Sequence, residues 1–600
     1  MKINEFGIAF STINGSGSAT ANNTIQRAIF RMGIPVSARN IFPSNIQGMP
    51  TWYHLRVSQK EYYGRLEKED ILVAMNPETV ADDANQLNPG GILLINDLIA
   101  APDTRKDITV IRMPVEDILQ DCKSPANLSI YLANMVYVGV LAFLIGIDLE
   151  QVEAALEHHF NHRRSAVDPN YNVVEAAFQW AQGHLKADCG FKLEPLALNK
   201  NRIMIDGNTA GAIGALFGGL QYAAWYPITP ATSLSESLNE YIPRLRTDPS
   251  TGASTCVVVQ AEDELAAIGM VVGAGWAGLR SMTSTSGPGL CLMAETLGLA
   301  YFAEVPLVVW DVQRVGPSTG LPTHTSQGDL AFSYFISHGD KDYVILLPAN
   351  VGECFEFGWK ALDIAEKLQT PVIILSDLEL GMNVWSIQRF KYPNKKIERG
   401  KVLWEKDLER MAKEGKETWG RYKDVDGDNI PYRTIPGNLH KQSAYFTRGT
   451  GHDDYANYSE NQYDWENNLL RLKRKVAGAK DLVPAPVIEK EHHSSIGFIA
   501  FGSSNMAALE AVDCLSEAGL PVDYLRIKAI PFTGAVEEFL EGHQNIYVIE
   551  ANRDGQMKNL LTINFPQYAA RMHSLSKCDG LSLSAEWICA QYHAAAGKEA

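Results

Sequence analysis

Closely spaced cysteines are missing from this chain. The eight present, at positions 122, 189, 256, 291, 354, 514, 578 and 589, are scattered, and no Cys-x-x-C pair occurs. Iron–sulfur clusters draw their thiolates from short spacings, so no cluster is expected on this chain; reduced, mostly buried thiols are the plain reading. Positive charge is also scarce, with 53 Lys and Arg against 70 Asp and Glu and a formal net charge of −17. That balance argues against nucleic-acid binding and against anionic membranes, both of which need basic patches. Long apolar runs are absent too. The most apolar stretch, Met135–Ile147, is about 13 residues, well short of the roughly 20 that span a bilayer. Met1–Phe6 carries no basic segment followed by an apolar one, so a cytoplasmic protein is expected.

What is present is an ordinary globular balance, 46% apolar and 20% charged, in a chain of 600 residues that is too long for one core. Residues 1–195 open with the apolar strand Phe6–Phe10, a glycine turn at Gly15–Ser18 and an amphipathic run, the βα unit of a parallel sheet. Residues 196–390 alternate helix and strand: a helix over Thr209–Tyr222, a strand Cys256–Gln260, a helix Leu265–Leu279, and buried strands Pro306–Asp311 and Pro371–Leu375. Such alternation predicts a doubly wound sheet. Residues 391–493 lose periodicity and read as an irregular connecting segment draped over the surface or over a partner. Residues 494–600 begin again with strand, turn and helix. The predicted fold class is α/β in three units plus a connector.

Several clusters carry possible chemistry. Tyr226-Pro-Ile-Thr-Pro brackets Thr229 with two prolines, which stiffen the turn and hold the hydroxyl in place. Gly15, Ser16, Gly17 and Ser18 could cradle a phosphate at a helix start or form a plain tight turn; Thr20 at the third glycine position breaks the dinucleotide fingerprint. Gln260-Ala-Glu-Asp-Glu264 sets three acids before an Ala- and Gly-rich helix. Complementing the helix N-terminus accounts for two of them, whereas Glu264, among apolar neighbours, could share a proton with a ligand nitrogen. Arg314, just past a buried strand, could clamp a carboxylate together with Thr323, or make a structural salt bridge. Asp424, Asp426 and Asp428 lack the glutamate of an EF-hand and read as an acidic turn.

In combination, Tyr226-Pro-Ile-Thr-Pro, Gln260-Ala-Glu-Asp-Glu264, Thr283-Ser-Thr-Ser-Gly-Pro-Gly289, Arg433-Thr-Ile-Pro-Gly and Glu550-Ala-Asn-Arg-Asp-Gly-Gln resemble the α subunit of 2-oxoacid:ferredoxin oxidoreductases. The likeness is strongest to the 2-oxoglutarate type, in which a γ domain is fused ahead of α. The resemblance implies a γ-type α/β domain, a doubly wound pyrimidine-binding domain of thiamine diphosphate and a transketolase C-terminal-like domain. It further implies a separate β subunit carrying the diphosphate, Mg²⁺ and a 4Fe–4S cluster, an (αβ)₂ assembly, and ferredoxin as electron acceptor. Glu264 would bond the aminopyrimidine of the cofactor, with Tyr226, Pro227 and Ile228 beside it. Thr229 would face the 2-oxoacid, and Arg314 and Thr323 would bind its carboxylate. Coenzyme A contacts would fall at Gly15–Ser18, Asn45 and Gly48. The implied reaction converts 2-oxoglutarate and CoA to succinyl-CoA and CO₂, and it can run in reverse as carboxylation. The same chemistry on pyruvate, a branched 2-oxoacid or indolepyruvate, and a non-catalytic CoA-binding subunit, are the alternatives.

Overall fold

A computed structural model describes residues 1–43, 48–102, 105–123, 127–394, 396–414 and 419–597. The chain divides into two compact units.

The first unit comprises Met1–Ile205 with Asn383–Arg389 and Ser584–Ala590. Its eight-stranded sheet is parallel through Thr109–Met113, Leu87–Asn96, Glu69–Ala74 and Glu5–Ile13. It turns antiparallel through Pro50–Ser58, Val36–Ile41, Trp385–Gln388 and Arg202–Ile205. The helices Ser18–Arg31, Ser129–Ile145, Leu149–His159 and Arg164–His184 cover it and share its main core. Ser129–Ile145 is apolar on nearly all sides because it lies inside that core. Among the described residues no helix is long and apolar enough to cross a membrane.

The second unit holds Asp206–Met382, Phe390–Leu583 and Gln591–Ala600. Its seven-stranded sheet runs in the order Val257–Gln260, Tyr222–Trp225, Ser281–Thr285, Leu307–Gln313, Pro371–Asp377, Val344–Leu346, Ala529–Ile530, and only the last strand is antiparallel. A five-stranded sheet follows: Asp523–Ile527, Ile496–Phe501, Asn545–Glu550 and Met572–Ser576 are parallel, with Val487–Lys490 antiparallel at the edge. The α/β class read from the sequence is the one observed.

Two details differ from the expectation. The stretch Thr209–Tyr222 is not one helix: helix Gly207–Phe217 stops at Gly218–Gly219, and Tyr222–Trp225 is a strand between two parallel neighbours. Alanines in so short a strand imitate a helix continuation. The stretch after residue 390 contains two helices, Glu405–Lys413 and Gln462–Ala477. The second was hidden because the face it buries is polar, with Asn468, Arg471 and Lys475 inside. Arg471 Nη2 lies 2.5 Å and Lys475 Nζ 2.7 Å from the fully buried Glu304 carboxylate. Likewise Arg433 of the Arg-Thr-Ile-Pro-Gly motif pairs with buried Glu366. The acidic turn is neutralised by a lysine, Lys401 Nζ standing 2.6 Å from Asp426 and 2.7 Å from Asp428.

Burial alone would raise Glu304, but Arg471 and Lys475 outweigh it and hold the carboxyl down to about 2. A folded value below the ordinary one means stabilisation present above pH ~4.5 and lost as pH falls toward 2. Glu304→Gln leaves two buried cations unpaired and is expected to cost about 3–5 kcal/mol at pH 7. The gap from the unsubstituted protein should narrow below pH ~4.5 in denaturation measurements. An unchanged unfolding midpoint at pH 7 would show that the network adds nothing.

Candidate functional site

In the seven-stranded sheet the first strand in sequence, Tyr222–Trp225, lies between the second, Val257–Gln260, and the third, Ser281–Thr285. That is a topological switch point, where the carboxyl ends of open parallel sheets leave a crevice for ligands. The sequence motifs leave from these ends. Tyr226-Pro-Ile-Thr-Pro follows the first strand, Glu264 follows the second, Ser286-Gly-Pro-Gly the third, and Arg314 the strand Leu307–Gln313.

Each segment is fixed locally. The turn after Trp225 is closed by Ile228 N–H donating to Thr232 Oγ1 at 3.0 Å, at the start of helix Thr232–Leu245. Asn208 Nδ2 donates to the Pro230 carbonyl at 2.8 Å, and the Thr229–Pro230 bond is cis. Tyr226 and Pro227 are exposed, and Ile228 and Thr229 are half-buried. Arg314 Nη1 donates to the Thr229 carbonyl at 2.6 Å, so the structure brings these two residues together. Arg314 is 8% exposed and its Nε has no partner among the described residues, which leaves donor capacity for a ligand. Thr323 is buried, two residues before the cavity-lining Thr325.

Asp263 caps helix Glu264–Trp276 by accepting Ala266 N–H at 2.7 Å. Glu264, the first helical residue, is 8% exposed and its carboxylate has no hydrogen-bond donor among the described residues. Its oxygens are not among the buried unpartnered atoms, so they open to the site and a group from outside can hydrogen-bond to them. The Ser286-Gly-Pro-Gly turn presses against it. A Cβ on Gly289 would stand 2.2 Å from Thr285 Oγ1 and 2.9 Å from Glu264 Oε1, and one on Gly287 would stand 2.7 Å from Asp329 Oδ2. Glycine is thus required where two carboxylates approach one turn from different sides.

A cavity of about 710 Å³ opens beside this turn, lined by Gly287, Pro288, Arg314 and Asp329, and on the other side by Arg553 and Lys577. Gln327, 1% exposed, ties the two walls together: its Nε2 donates to the Phe501 carbonyl, and its Oε1 accepts from Ala551 N and Ser504 Oγ. Glu550 accepts from Met557 N at 2.8 Å and Lys558 N at 3.2 Å, so the Glu-Ala-Asn-Arg-Asp-Gly-Gln motif caps helix Gln556–Asn564. The sequence reading missed Asp311, Gln327, Asp329 and Asp377. An acid inside the apolar run Leu307-Val-Val-Trp-Asp-Val was the available signal for Asp311.

In the first unit, Gly15 and Gly17 have positive φ and Ser18 opens helix Ser18–Arg31. Asn134 Nδ2 donates to the Ser16 carbonyl at 2.8 Å, and Gly48 N–H to the Asn14 carbonyl at 3.1 Å. Asn45 lies outside the described residues.

Two family models match: pyruvate flavodoxin/ferredoxin oxidoreductase, thiamine diphosphate-binding, over residues 213–467, and pyruvate ferredoxin/flavodoxin oxidoreductase over residues 7–180. With the switch-point site, these define an α/β oxidoreductase subunit with a thiamine diphosphate-binding domain. The subunit alpha of 2-oxoacid:ferredoxin oxidoreductase 1 from Sulfurisphaera tokodaii is 30% identical over 90% of each chain. The 2-oxoglutarate synthase subunit KorA of Methanocaldococcus jannaschii is 34% identical over 55% of this chain and 82% of its own. Among solved structures, the 2-oxoglutarate:ferredoxin oxidoreductase of Magnetococcus marinus, with 2-oxoglutarate, coenzyme A and succinyl-CoA bound, superposes with a TM-score of 0.88. It is 28% identical over 98% of this chain and 99% of that one. The chain belongs to the 2-oxoacid:ferredoxin oxidoreductase family.

Gly289→Ala tests the turn. Its methyl group displaces Glu264, and a misplacement of about 1 Å is expected to cost roughly 100-fold in 2-oxoacid oxidation by the assembled enzyme. The unfolding midpoint should fall less than in Glu304→Gln. Full turnover by this variant would show that the turn does not position Glu264.

Proposed function

We propose that this chain is the fused γα subunit of a 2-oxoglutarate:ferredoxin oxidoreductase, acting with a separate β subunit in an (αβ)₂ assembly. The reaction is 2-oxoglutarate + CoA + 2 oxidised ferredoxin to succinyl-CoA + CO₂ + 2 reduced ferredoxin + H⁺, and it can also be run as carboxylation. In this reading residues 1–195 are the γ-like domain and residues 196–390 the pyrimidine-binding domain. Residues 391–493 connect, and residues 494–600 form the transketolase C-terminal-like domain. The observation that carries the proposal is the full-length likeness to a 2-oxoglutarate-bound relative, joined to a Glu264 carboxylate that opens to the site and has no donor among the described residues.

Thiamine diphosphate fits that carboxyl group, since a proton shared with the ring nitrogen of its aminopyrimidine would make the missing hydrogen bond. When bound, the cofactor supplies the carbon nucleophile and the electron sink for decarboxylation. Glu264 holds a proton against the ring nitrogen, with Tyr226, Pro227 and Ile228 flanking it. Arg314 fixes the substrate carboxylate through the N–H groups not used on Thr229, with Thr323 assisting, and the Thr229 hydroxyl faces the keto group. Coenzyme A contacts are assigned to Gly15–Ser18, Asn45 and Gly48. Mg²⁺ and a 4Fe–4S cluster belong to the β subunit.

A partner chain is supported by one surface. Helix Glu264–Trp276 presents Leu265, Met270 and Trp276 to solvent at 53%, 42% and 37%, with open space over Gly269 and Gly273. An apolar helix face with room at its glycines suits close packing against a second subunit. Pyruvate is the second reading, in keeping with the two matching family models, which are named for pyruvate.

The test is anaerobic viologen reduction by the chain co-purified with its β subunit. Activity with 2-oxoglutarate well above that with pyruvate is expected, and the reverse order transfers the proposal to pyruvate. Glu264→Gln should assemble normally and lose at least roughly 100-fold in turnover. Near-normal turnover would remove Glu264 from the chemistry.

A further inference from the structure

Two acids, one fully buried and one half-buried, have no part in the chemistry described so far. Asp311 lies in strand Leu307–Gln313, fully buried, and neither of its carboxyl oxygens has a donor among the described residues. It faces Asp329, whose Oδ2 is equally without one. Asp329 is held in place by its own N–H, which donates to Gln313 Oε1 at 3.0 Å, and by the close approach that Gly287 permits. The charged and titratable groups facing the pair are Arg314, from the loop after the strand, and Cys291, from helix Gly287–Leu292. Across the cavity stand Arg553 and Lys577 with their partners Asp554 and Asp579. Burial, then the two acids, push the Cys291 thiol up, so it stays protonated at neutral pH. A fully buried carboxylate facing the buried oxygen of a second one, with no donor between them, disfavours ionisation of both. One shared proton supplies the missing hydrogen bond and leaves a single negative charge toward Arg314.

We propose that Asp311 and Asp329 form a proton-sharing pair that balances Arg314 when the cavity holds no ligand and takes up a second proton when a ligand carboxylate reaches that arginine. The inference rests on the cavity being the acid-binding site of the proposed function. Both residues are positioning residues: they act through Arg314. Burial raises both acids, Asp311 strongly, while Asp329, eased back by Asp311 and Arg314, stands at about 6. An incoming carboxylate adds a like charge and lifts Asp329 further, so binding consumes a proton. Affinity is therefore greatest below the free value and falls as pH rises above it.

The experiment is calorimetric titration of the purified complex with glutarate, which lacks the reactive keto group, in two buffers of different ionisation heat at pH 6.5. Proton uptake is expected on binding, with Kd rising roughly tenfold between pH 6.0 and 7.5. Asp329→Asn should abolish the uptake and flatten Kd to within about twofold across that range. Asp311→Asn, which keeps a donor toward Asp329, should fold and reduce the uptake. In turnover the effect should fall on the pH dependence of KM rather than on kcat. Absence of glutarate binding, binding without proton uptake, or uptake unchanged in Asp329→Asn overturns the proposal. Viologen reduction with 2-oxoglutarate by the same preparation reports separately on the function. A complex that turns over yet takes up no proton keeps its function and loses this pair.

Discussion

The side-chain amide of Gln327 is the constraint on which the cavity depends. Its Nε2 meets the Phe501 carbonyl at 2.9 Å, and its Oε1 takes Ala551 N–H at 2.9 Å and the Ser504 hydroxyl at 2.8 Å. Its own N–H donates to the Ala551 carbonyl, and its carbonyl accepts from Asn552 Nδ2. One buried residue thereby joins the loop carrying Arg314 and Asp329 to the ends of two strands of the five-stranded sheet. With its side-chain groups satisfied, it holds a defined geometry; truncated, it would leave several buried donors and acceptors unpaired at once. The cavity is a space between two sheets, and this amide fixes how far apart they stand.

Around that frame the site is incomplete in a specific sense. Glu264 opens its carboxylate to the site with no donor among the described residues, Arg314 Nε is buried without a partner among them, and the helix beginning at Glu264 exposes an apolar face. Each is completed by something added at the same place. Conflicts between local chemistry and burial are expected where a protein binds, because the ligand or partner completes the balance.

Much of this was legible from the chain. Regular alternation of strand and helix gave the α/β class, and the turns at Glu264, Gly287 and Arg314 leave the carboxyl ends of strands, as their flanking apolar runs implied, whereas the strand before Tyr226 read as helix. Burial of polar groups was not legible. Helix Gln462–Ala477 hides Arg471 and Lys475 against Glu304, so hydropathy reads it as surface. Arg433, quoted for its motif, spends its guanidinium on Glu366. Asp311 meets Asp329 through a contact that joins a strand to a distant loop, and no spacing rule registers such a meeting. Apolar periodicity reports which faces are greasy, not which charges find partners inside.

The same buried acids change how the net charge should be understood. A total of −17 suggests a protein that repels anions. Yet burial pushes Asp377, beneath the same wall and bonded by the Ser503 hydroxyl, up to about 7, and it also raises Glu550 and Asp311. Burial thereby lowers the negative charge these acids carry, while Arg314, Arg553 and Lys577 stand on the cavity lining beside Asp329 and Asp554. Fixed charge far away is screened within about 10 Å at ordinary ionic strength, so an approaching carboxylate responds to the local set rather than to the total. Proton retention by buried acids thereby offsets part of the negative charge that an incoming carboxylate would otherwise meet.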